Sequence, residues 1–237
     1  MASLLGLWHA RRSFATAREA EATVARESAT AREVLDFLIS VFRVSEPGEA
    51  RGGSVTACEI LDNGAARVER ELTDQPVTQA RRMVAIGLIY HYLGLFDRAR
   101  PLLERSLAIR SEQLGPSHLD VAESLTYLGH LSRQQGDLVA AEELYRRALA
   151  IREGALDPDD PDVAASLNLV AVVVWDRGRY AEAEPLYRQA LAIREKALSA
   201  DSPDLAETRA GYAELLRKLG REQEAAALTT KGPAVGS

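Results

Sequence analysis

The sequence predicts an all-α solenoid of antiparallel helix pairs, and three observations carry that expectation. Nearly the same text appears twice, at Asp120–Ala155 and Asp162–Ala197, so that Gly136 and Gly178, Tyr145 and Tyr187, and Ile151 and Ile193 each stand 42 residues apart. A fixed period of about 20 to 50 residues marks an array in which each unit buries its apolar face against its neighbours. Within a unit the apolar spacing is helical: Leu125, Leu128 and Leu131 in a first helix, then Leu144, Ala148 and Ile151 in a second. The punctuation also repeats, with Gly52, Gly94, Gly136, Gly178 and Gly220 one period apart and Ala57, Ala99, Ala141, Ala183 and Ala225 five residues behind them. Each glycine supplies the left-handed conformation that ends a first helix, and each small alanine lets the second helix approach the first.

Composition agrees and narrows the function classes. The 237 residues are 46% hydrophobic and 5% aromatic, rich in Ala, Leu, Arg and Glu, residues that lose little rotamer freedom in a helix. A net charge of −6 argues against nucleic acid as a partner, which demands a basic face. Cys58 is the single cysteine, so one chain forms no internal disulfide and no thiolate metal cage. The apolar run Leu4–Trp8 is too short for a signal peptide, and no run approaches the roughly 20 apolar residues of a membrane span. A cytoplasmic location is expected, or an extracytoplasmic one if the chain was cut from a membrane-anchored parent.

In chain order, residues 1–44 read as a long N-terminal helix, charged at first and turning apolar from Val34 to Phe42. Residues 45–76 read as a degenerate repeat or junction, broken by Pro47 and by Gly52 and Gly53, with a helix from Val55 to Leu72. The array follows over 77–230, in units at 77–118, 119–160, 161–202 and 203–230, and residues 231–237 are expected to form a disordered tail. Asp160 before Pro161 and Ser202 before Pro203 place a side-chain acceptor at the N-cap and a proline at the first helical position. Asp162 and Asp204 then put negative charge in the first turn, where the helix dipole favours it.

These residues resemble the tetratricopeptide repeat in its 42-residue, kinesin-light-chain-like form. The resemblance rests on Leu125, Leu128, Gly129, Gly136, Ala141, Tyr145 and Ala148, on Leu167, Val170, Ala171, Gly178, Ala183, Tyr187 and Ala190, and on the strings AEELYRRALAIRE and AEPLYRQALAIRE. It implies a right-handed superhelix whose first helices line a concave groove. Residues 31–76 are similar to the junction that precedes such repeats in some bacterial serine/threonine kinases, although the chain carries no GxGxxG, HRD or DFG motif.

Carried over by register, the groove of the resembled family falls on His91, Tyr92, His130, Arg133, Gln134, Asn168, Trp175, Asp176, Arg217 and Lys218, with Arg81, Val84, Leu88, Glu123 and Thr126 beside them. Trp175 with Arg133 and Tyr92 forms the type of aromatic and arginine cluster that dominates binding energy; the alternative is that Trp175 packs under the neighbouring unit. Kinesin-light-chain-like grooves carry an Asn in each first helix, and here Asn168 alone fits that place. Four scattered histidines supply no catalytic triad, and His91 with His130 lacks a third metal ligand. The acidic loop at Asp157, Asp159, Asp160 and Asp162 is interrupted by Pro158 and Pro161 and does not match a calcium loop. The expectation is a non-enzymatic scaffold, without cofactor or metal, that holds a peptide or partner protein in the groove. The alternative is a signalling module derived from a bacterial kinase that forms homo-oligomers through the N-terminal helix.

Overall fold

The computed structural model describes residues 57–229, and every described regular element is an α-helix. The expected helix over 1–44, the pairing suggested for it, the breaks at Pro47 and Gly52, and the tail after 230 lie outside the described residues. The chain divides into two compact units at Glu71 and Leu72. In the first, α1 (Ala57–Glu71) buries Leu61 and Val68, seven residues apart and so on one face.

The second unit is a row of four helix pairs: α2 (Pro76–Tyr92) with α3 (Phe96–Leu114), α4 (Leu119–Gln134) with α5 (Leu138–Ala155), α6 (Pro161–Asp176) with α7 (Tyr180–Ala197), and α8 (Pro203–Lys218) with α9 (Glu222–Thr229). Each helix packs on its partner, and α3, α5 and α7 each pack on the first helix of the next pair, as a solenoid requires. Among the described residues no helix is long and apolar enough to cross a membrane.

The turn inside each pair is the same device four times. Gly94, Gly136, Gly178 and Gly220 have φ of 73°, 82°, 75° and 75°. In the second pair Gly136 N–H donates to the Arg133 carbonyl at 3.0 Å and Asp137 N–H reaches back to Ser132 at 2.9 Å, closing the last turn of the helix. The chain then reverses after three residues, and Ala99, Ala141, Ala183 and Ala225, all 0% exposed, sit where the second helix meets the first.

Helix starts vary more than the repeat suggests. The Asp160 carboxylate accepts from Asp162 N–H at 2.8 Å, as its place before Pro161 implies. Ser202 has the extended backbone of a cap, yet its hydroxyl makes no cap hydrogen bond. At the matching place in the second pair the cap is His118, whose Nδ1 accepts from Asp120 N–H at 3.1 Å.

A polar ladder also runs through the array in register. Arg110, Arg152 and Arg194 lie toward the ends of successive second helices, and each donates to a hydroxyl on the following first helix, namely Ser124 at 2.9 Å, Ser166 at 2.7 Å and Thr208. Each hydroxyl donates in turn to the carbonyl four residues back, at 3.2, 3.0 and 3.1 Å. Burial of Arg110 and Arg194 is offset by the Nη1 group, which in each meets a carbonyl and a hydroxyl oxygen and in Arg110 also the Glu123 carboxylate. A second ionic joint sits near the turns: Glu142 on α5 accepts from Arg146, Arg177 and Arg179, and Glu184, one period on, pairs with Arg188 and Arg221.

Candidate binding cleft

Helical spacing on α4 brings Tyr127, His130 and Gln134 onto one face, since three and seven residues return to the same side of a helix. That face meets the end of α2. Between them lies a cleft of about 230 Å³ lined by Leu88, His91 and Tyr92 from α2 and by Tyr127, His130, Arg133 and Gln134 from α4. Five of the ten residues assigned to the groove by register, His91, Tyr92, His130, Arg133 and Gln134, therefore share one concavity.

Behind the cleft the repeat itself braces His130. Gly129 has no side chain, and a Cβ there would stand 2.5 Å from Tyr145 Cε1, so the glycine lets the Tyr145 ring lie flush against α4. Tyr145 is 1% exposed, and its hydroxyl lies 2.9 Å from His130 Nδ1 with the rings edge-to-face at 5.4 Å. Burial, aided by nearby His91 and Arg133, pushes the His130 pKa down to about 4, so the imidazole is neutral near pH 7. Burial likewise lowers the pKa of His91, whose ring packs on Tyr92 and Phe96 at 5.5 and 5.9 Å.

At the rim Tyr92 is 83% exposed, an uncommon state for a large aromatic. Arg133 Nε donates to Asp176 Oδ2 at 2.6 Å, which ties the cleft to the end of α6. Tyr127, which the register reading passed over, donates from its hydroxyl to Glu123 Oε1 at 3.1 Å; burial raises its pKa, with the neighbouring Glu123 adding to the effect.

The other assigned groove residues have different surroundings. Asn168 is 5% exposed on α6, and its Oδ1 is buried without a hydrogen-bond partner. Trp175 is half-buried, packs against the core, faces Tyr180 with ring centroids 6.4 Å apart, and is not among the residues lining the cleft. Arg217 and Lys218 are exposed in the last turn of α8.

A family model described as Tetratricopeptide repeat matches residues 79–154 and 162–231. The chain belongs to the tetratricopeptide-repeat family. Among solved structures, a putative kinesin light chain with nearly identical TPR-like repeats from Podosopora anserina is similar at 25% identity and a TM-score of 0.61, covering 73% of this chain and 82% of that one. BtubC (BKLC) from P. vanneervenii is similar at 18% identity and a TM-score of 0.66, over 86% of this chain and 87% of that one. The apo form of RapI shares the fold at 16% identity and a TM-score of 0.67, over 86% of this chain and 69% of that one. No curated protein matches the chain. As a tetratricopeptide-repeat protein the chain is a scaffold for protein–protein interaction.

Proposed function

We propose that the cleft between α2 and α4 is the place where this scaffold holds a segment of its partner, and that it does so without chemical transformation. The observation that carries the reading is the exposed ring of Tyr92 standing over a concavity built by two successive first helices. An exposed aromatic beside a side-chain-sized hollow is the composition of an interaction hot spot, because a rigid ring buries much area at little entropy loss. The lining residues combine that apolar area with the guanidinium of Arg133 and the amide of Gln134, which orient what enters.

The test is to select a displayed random-peptide library on the intact chain and measure the affinity of a selected peptide for four proteins. Tyr92→Ala and Arg133→Ala should each weaken binding about tenfold or more, roughly 1.4 kcal/mol. Val139→Ala, an exposed apolar site on α5 away from the cleft, should bind like wild type. Unchanged affinity in both cleft variants removes the cleft from the account.

A further inference from the structure

His130 offers the cleft one ring nitrogen, and which proton it carries decides what the cleft recognises. Its other nitrogen, Nδ1, lies 2.9 Å from the Tyr145 hydroxyl. Either group could donate across that distance. If His130 donated, the Tyr145 O–H, on a residue 1% exposed, would be a buried donor without a hydrogen-bond acceptor, since among the described residues His130 is the one partner its hydroxyl bonds. An unmet buried donor costs about 1 to 3 kcal/mol. If Tyr145 donates, that loss disappears and Nδ1 is the acceptor. A neutral imidazole with an accepting Nδ1 carries its proton on Nε2. Among the described residues Nε2 has no hydrogen-bond partner, and it does not count among the buried unpartnered atoms, so it opens to the cleft that the ring lines.

His91 repeats the pattern from the opposite wall. Its Nδ1 is buried without a hydrogen-bond partner among the described residues while its Nε2 is not among the buried unpartnered atoms, and orphaned buried N–H groups are rarer than under-satisfied acceptors. Its proton too belongs on Nε2. With Arg133 and Gln134 alongside, the cleft then carries donors on His91, His130, Arg133 and Gln134, against acceptors on the Gln134 carbonyl and the Tyr92 and Tyr127 hydroxyls.

We infer that Tyr145, a core residue of α5, fixes His130 as the Nε2–H tautomer and so makes the cleft a receptor for an oxygen acceptor on the partner, a carbonyl or a carboxylate. This rests on the reading of the cleft as the binding site. Tyr145 is a positioning residue, acting through His130. The repeat supplies the ring at Tyr187 as well, but the residue that corresponds to His130 there is Val172, so the device belongs to this one cleft.

The experiment is long-range ¹H–¹⁵N correlation of the histidine rings in the full chain, for wild type and Tyr145→Phe, which keeps the ring and deletes the hydroxyl. Wild-type His130 should show a protonated Nε2 and a bare Nδ1 from pH 8 down to pH 6, and Tyr145→Phe should show both tautomers with an unchanged helical circular dichroism spectrum. Sodium acetate and N-methylacetamide are then titrated in turn, with exposed His118 as the internal control. Either probe should shift the His130 Nε2 signal more than any His118 signal, acetate alone marking a carboxylate and N-methylacetamide alone a backbone-like carbonyl. A wild-type Nδ1–H tautomer, or a Tyr145→Phe pattern identical to wild type, overturns the role of Tyr145. Equal shifts at His130 and His118 overturn the acceptor assignment. Both results leave peptide binding at the cleft to be judged separately, by the affinities of the Tyr92 and Arg133 variants.

Discussion

Replacing Glu142 by glutamine should loosen the joint between the second and third helix pairs, and the loss should fade with acid. The Glu142 side chain is 8% exposed and accepts from Arg146 on its own helix at 2.9 Å and from Arg177 and Arg179 at the α6–α7 turn. Burial by itself raises the carboxyl pKa, but the guanidinium hydrogen bonds outweigh it and hold the group at about 2 against an ordinary 4.5. A carboxyl held that far down stabilises the fold by roughly 3 kcal/mol, which becomes about 2 kcal/mol once the partly exposed arginines are screened by solvent. Because the folded value is the lower one, the stabilisation is complete above about pH 4.5 and is lost as the pH falls through about 2. Glutamine keeps the shape and one acceptor oxygen but not the charge. Urea unfolding of wild type and Glu142→Gln, followed by circular dichroism, should show a gap of about 2 kcal/mol at pH 7 that drops to under half by pH 3. A gap of equal size at both pH values would falsify the electrostatic account and assign the loss to packing.

Three further outcomes follow from named contacts. Gly129→Ala puts a methyl 2.5 Å from Tyr145 Cε1 and should lower stability by about 1 to 3 kcal/mol while releasing His130 from Tyr145, read by thermal melting and by the ring nitrogen signals. Gly178→Ala meets nothing within 4 Å, so its effect is backbone strain alone at φ of 75°, about 1 to 2 kcal/mol by denaturant titration, with the cleft unaffected. Arg194→Leu should lower stability by about 2 kcal/mol, since the Asp204 carbonyl that it bonds at 2.6 Å and the buried Thr208 hydroxyl both lose the guanidinium, leaving the carbonyl the Thr208 hydroxyl at 3.1 Å; an unchanged midpoint in urea would show the ladder to be incidental.

The repeat made much of the fold legible. A glycine every 42 residues leaves few alternatives to a left-handed stop, and the alanine five places on has to fit a close approach, so helix ends and pair contacts could be read from spacing. The polar ladder was equally periodic but went unread. An arginine near a helix end suggests a solvated cation favoured by the dipole, and its burial at Arg110 and Arg194 shows up once the hydroxyls of Ser124 and Thr208 are known to lie beneath it.

For the cleft, register gave the face but not the depth. Asn168 and Tyr92 were assigned to the same groove, yet one is 5% exposed and the other 83%, because depth depends on the neighbouring pair and not on the residue's own place in the repeat. Tyr127 was missed for a related reason. Its counterparts one and two periods on are Leu169 and Gly211, so the pattern is silent there, while its separation of three from His130 and seven from Gln134 places it in the cleft. The bond from Tyr145 to His130 joins a residue shared by the repeats to one found in a single repeat, and periodicity reports the first kind alone.

The central claim is that partner segments dock in the cleft between α2 and α4. Its most direct test is photocrosslinking of a library-selected peptide to chains carrying benzoylphenylalanine at position 92 or, as the outer-face control, at position 139. Crosslinking at 92, lost in Arg133→Ala and well above that at 139, is the expected result. Equal yields at the two positions, or a stronger signal at 139, would contradict it.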